Sequence, residues 1–129
     1  MSSNAQRSGS FFSDLFHLTK NDDIRALTRK LVRAVRSMLS DEETVSELTY
    51  SDTITYFVDE RPDDADIAKG AVLLIPQRSA IRVYFLFLDK DNKPLSGGNG
   101  KFYGRAKLVQ GLDEELKDAF DGTELLILE

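Results

Sequence analysis

Four arginines supply the first chemistry this chain could do. Arg25, Arg29 and Arg33 recur every four residues, and Arg36 follows three residues later. On a helix, residues three and four apart share a face, so this spacing lines guanidiniums along one edge. Each guanidinium is a planar fork of donors suited to bidentate contact with carboxylate or phosphate. The row is a candidate partner-binding edge, and a merely solvated face is the plain alternative.

A second basic set lies further on. Lys101, Tyr103, Arg105 and Lys107 alternate with Phe102, Gly104, Ala106 and Leu108. In a strand, alternation separates an apolar face from a cationic one carrying an aromatic. Arg82 and Tyr84 alternate in the same way with Ile81, Val83, Phe85 and Phe87. If the two strands pair, the six residues Arg82, Tyr84, Lys101, Tyr103, Arg105 and Lys107 are expected on one sheet face. Bases interleaved with aromatics would there form an anion-binding surface for a nucleotide or single-stranded nucleic acid.

Other patterns fail on their spacing. Gly100-Lys101 has Leu95 where a phosphate loop needs its first glycine and Phe102 where it needs a hydroxyl. Gly98, Gly100 and Gly104 are one residue too widely spread for a dinucleotide fingerprint, and they lead into a strand. The stretch from Asp89 opens like a calcium loop. It then places Lys93, Pro94 and Gly100 where a ligand, a glycine and a glutamate belong. Asp59, Glu60, Asp63, Asp64 and Asp66 are dense but lack coordination spacing, and read as a solvated loop. Asp113, Glu114 and Glu115 suit the first turn of a helix, where the dipole favours acids, and Asp113 is spaced to pair with Lys117. His17 stands alone between Phe16 and Leu18, with no nucleophile motif to serve. Without cysteine there is no disulfide, thiolate metal site or cysteine nucleophile. None of these patterns implies a catalytic residue, a metal site or a cofactor.

Charge is unevenly distributed. The 129 residues carry a net charge of −5, but residues 1–40 contribute +4 and the remainder −9. An acidic total disfavours nucleic acid, whose binding domains present a basic field. The length suits one domain. No apolar run approaches the ~20 residues of a membrane helix, and no leader pattern opens the chain, so a cytoplasmic protein is expected.

The elements that must position these residues follow from periodicity. Residues 1–10 are polar and expected to be a mobile tail, leaving 11–129 as a single domain. Phe11, Phe12, Leu15 and Phe16 have helical spacing. Ile24, Leu27, Leu31, Val35 and Met38 form an apolar stripe that predicts a helix over 22–39, capped by Asn21. Residues 53–58 alternate like a strand, which 48–50 would extend backward. Strands are also predicted at 71–75, 81–88, 101–109 and 123–128, and a short helix at 112–120 that stops at Gly122. The expected fold is α+β, in the order α-β-β-β-β-α-β. It would be a two-layer sandwich with the long helix across a mixed, mainly antiparallel sheet. The expected function is a non-enzymatic adaptor or regulatory domain that docks a protein partner through its charge-polarised surface. An anionic ligand on the basic-aromatic sheet face is the alternative, and the pattern is compatible with a homo-oligomer.

Overall fold

A computed structural model describes residues 21–35, 43–98 and 101–129. The tail 1–10, the 11–16 segment, His17, the predicted helical residues 36–39 and Arg36 lie outside the described residues. The fold is α+β, with three helices and a five-stranded mixed sheet among the described residues. Helix α1 spans Asn21–Val35, β1 Glu43–Leu48, α2 Tyr50–Asp59, β2 Lys69–Pro76 and β3 Ile81–Leu88. Strand β4 follows at Gly104–Leu112, then α3 at Glu114–Phe120 and β5 at Leu125–Leu128. Strand order is β1-β4-β3-β2-β5. β1 runs parallel to β4, and every other neighbouring pair is antiparallel.

The apolar stripe of α1 explains where that helix lies. Ile24, Leu31 and Val35 are buried against Ala71, Leu73, Leu86 and Leu125 on one face of the sheet. The other face carries Val72, Val83, Phe85, Val109 and Leu126, and there α2 and α3 cover it. The sheet is thus enclosed on both sides, not backed by one layer as expected. Four consecutive buried residues in each of β2 and β5 show why: both parities of these strands are apolar, and both need cover.

Two further corrections concern the region before β2. Residues 53–58 are helical, not extended. Thr49 caps α2 by accepting from the Asp52 backbone N–H at 3.0 Å, and the Thr53 hydroxyl donates to the Thr49 carbonyl at 2.9 Å. The β-branched and aromatic residues that suggest a strand instead bury Thr53 and pack Ile54, Tyr56 and Phe57 on the sheet. Tertiary packing overrides their local preference. The sequence reading also missed β1, which replaces the predicted 53–58 strand in the sheet.

β4 begins at Gly104 rather than Lys101 and continues to Leu112. Gly104 has φ of 141°, and a Cβ there would lie 2.0 Å from the Phe85 carbonyl oxygen. Only glycine fits that close approach of backbones. No helix among the described residues is long and apolar enough to cross a membrane.

Candidate docking surface

The stripe that buries Leu31 turns the opposite side of α1 to water. Arg25, Arg29, Lys30 and Arg33 are all exposed, and no acid shares residues 24–35 with them. Among the described residues none of the three arginines closes an ion pair. At 1.5 Å per residue, Arg25 to Arg33 spans about 12 Å along the helix. Arg36, the fourth member of the predicted row, lies outside the described residues.

Beside this row is an open groove of about 580 Å³. One wall comes from Ile24, Arg25, Thr28 and Arg29 of α1, and the other from the turn 121–124. The Thr28 hydroxyl is committed to the Ile24 carbonyl at 2.6 Å, so the charged side chains dominate the wall. The facing turn is held in shape by a left-handed pair, Asp121 at φ 51° and Gly122 at φ 79°. The Asp121 N–H donates to the Lys117 carbonyl, and Thr123 bonds back to Phe120. Asp121 and Glu124 are exposed on that wall. Sequence reasoning recognised the helix stop at Gly122, but not that it sets two carboxylates opposite the arginines.

The six residues expected to share a sheet face do not. In the β3–β4 register Arg82 faces Leu108 and Tyr84 faces Ala106, whereas Val83 faces Lys107 and Phe85 faces Arg105. Cross-strand partners share a face, so Arg82 and Tyr84 lie on the α1 side and Arg105 and Lys107 on the α2 side. Tyr84 is buried in the core beneath α1. Lys107 bonds to Glu43 at 3.3 Å and stands 5.6 Å from the centre of the Phe85 ring. Lys101 and Tyr103 precede β4, in a loop where the Lys101 carbonyl accepts from Gly97 and the Tyr103 N–H donates to Leu95.

Behind Lys107 and Arg105, Tyr56 stacks on Phe85 at 4.7 Å and meets Phe57 edge-on at 5.2 Å. Burial raises the Tyr56 phenol above its usual pKa; nearby Arg105 opposes that shift and Glu60 adds to it.

The acidic motifs have local structural work. Asp113 caps α3 through the Leu116 N–H at 2.9 Å, and the same oxygen accepts from the Tyr50 N–H at 3.1 Å. Lys117 pairs with Glu114 at 3.5 Å rather than with the expected Asp113. Asp59 ends α2, and in the loop that follows Asp64 accepts from the Asp66 N–H while Arg61 donates to the Ile67 carbonyl. Asp89 closes its turn by accepting from Lys93 and Asp91 N–H groups, which hold its carboxyl below the usual range. The chain matches no protein family, no curated protein and no solved structure.

Proposed function

We propose that this protein is a non-enzymatic interaction domain that docks an acidic protein partner on the solvent edge of α1. The observation that carries this reading is the exposed row Arg25, Arg29 and Arg33, unpaired among the described residues and backed by a buried stripe that fixes its direction. Clustered cations of one sign steer an acidic partner and raise its association rate. The alternative, an anionic ligand on a basic-aromatic sheet face, loses its support where the register divides Arg82 and Tyr84 from Arg105 and Lys107.

Reversing Arg29 and Arg33 to Glu tests the reading. Exposed pairs contribute about 0–1 kcal/mol each, so thermal melting should barely move. Binding of an all-glutamate peptide, read by fluorescence anisotropy in low salt, should be lost, and for the unaltered protein it should weaken as salt is added. A stability loss of several kcal/mol would instead make these arginines internal partners of the acidic part of the chain, and the proposal would fall.

A further inference from the structure

The groove beside the arginine row is lined by both signs of charge, which an edge that merely attracts acids would not need. Arg25 and Arg29 stand on the α1 wall, and Asp121 and Glu124 on the turn facing them. Among the described residues these opposite charges form no ion pair across the groove. Had they closed on one another, the groove would be an internal salt link with nothing left to offer. Held apart, they leave four exposed charges that find no partner across the groove among the described residues.

Magnitudes decide what kind of molecule fits there. All four side chains are exposed, and an exposed pair contributes little because water screens it. Two such pairs to a small zwitterion fall short of what even a millimolar complex needs. A polypeptide differs because it covers the groove as it binds, and lowering the local dielectric strengthens every contact beneath it.

We infer that this groove docks a partner segment carrying an acidic and a basic side chain close together, the acid against Arg25 and Arg29, the base against Asp121 and Glu124. This rests on the docking reading and adds a selection rule. A partner of uniform negative charge meets repulsion at the turn, whereas one of mixed charge in the right order meets none. Like-charge juxtaposition is how interfaces reject wrong partners and fix register.

The test is the variant Asp121→Asn with Glu124→Gln, which keeps side-chain shape and leaves a residue that tolerates the left-handed conformation at 121. Two labelled peptides of equal length serve as probes, one all glutamate and one alternating glutamate with lysine. Matched thermal melts confirm that the variant folds. The variant should bind the mixed peptide roughly five- to tenfold more weakly than the unaltered protein does, and the all-glutamate peptide more tightly. If the variant binds the mixed peptide equally well or better, the selection rule is wrong. The docking reading then survives only if all-glutamate binding still depends on Arg29 and Arg33. Failure of both peptides to bind the unaltered protein at millimolar concentration in low salt would overturn both.

Discussion

The two faces of the sheet are built differently. Beneath α1 the contacts are largely aliphatic: Ile24, Leu31 and Val35 meet Ala71, Leu73, Leu86 and Leu125, while Arg25, Arg29, Lys30 and Arg33 are exposed. Beneath α2 and α3 the contacts include rings, with Tyr56 and Phe57 against Phe85 and Phe87. Polar links knit that side together, Asp113 serving two helix starts at once. One face depends on a stripe from a single helix. The other depends on rings and caps brought together from four places in the chain. A helix held by a stripe leaves Arg25, Arg29 and Arg33 to solvent, whereas the second face spends polar groups such as Asp113 internally.

The largest effect should come from attacking the stripe. Leu31 is fully buried at the middle of the α1 contact. Leu31→Asp places an unpaired charge there, and the expected loss of more than about 4 kcal/mol should abolish cooperative melting. A variant that still melts cooperatively near the original temperature would show that α1 is not part of the folded unit. The ring face should respond almost as strongly. Phe85→Ala empties the site under Tyr56 and Phe57 and should cost about 3–5 kcal/mol in denaturant titrations. A loss below 1 kcal/mol would mean that α2 can collapse into the gap and that the rings are loosely held.

The same contrast explains what the sequence could reveal. The α1 stripe is a one-helix pattern, so Ile24, Leu31 and Val35 were legible at once. β2 and β3 were legible as continuous apolar runs, and the turn at Gly122 as a helix stop. The second face was not, because its signals compete. Residues 53–58 satisfy period two as well as a helical face, and the deciding sign is small: Thr49 with Asp52 three residues on, a capping pattern before an apolar run. β1 has a single buried residue, Leu48, and exists through its parallel partner β4, which no local pattern announces. The alternation predicted for the basic row holds at Arg105 and Lys107 of β4, but Lys101 and Tyr103 precede the strand. The register to β3 is a long-range quantity that no local pattern sets, and it puts Arg82 and Tyr84 through the sheet from Arg105 and Lys107.

A smaller effect should follow from uncoupling the two helix starts. Asp113→Ala removes the α3 cap and leaves the Tyr50 N–H without its carboxylate. Caps of this kind are worth about 0.5–2 kcal/mol, and the second bond adds to that, so about 1–3 kcal/mol should be lost. Asp113→Asn should retain part of it, since an amide oxygen still accepts. Equal losses for both variants would assign the effect to charge beside the helix dipole rather than to the shared hydrogen bonds.

The smallest effect separates burial from bonding at Tyr56. Its phenol lies against Phe85, and burial raises its pKa above the usual 10.0, with Arg105 opposing and Glu60 adding. A group whose folded pKa is raised contributes its stability fully below the unfolded value and loses it as pH climbs through the folded one. Ionising Tyr56 should therefore weaken the ring face only on the alkaline side of pH 10. Tyr56→Phe keeps the stacked ring and removes the titrating group. The variant should melt like the unaltered protein at neutral pH and lose less stability above pH 10, a difference that parallel melts across that range would read. If the Tyr56 variant lost as much stability above pH 10 as the unaltered protein, ionisation of this phenol would not be what weakens the ring face. The contrast between the two sides would then be one of shape alone.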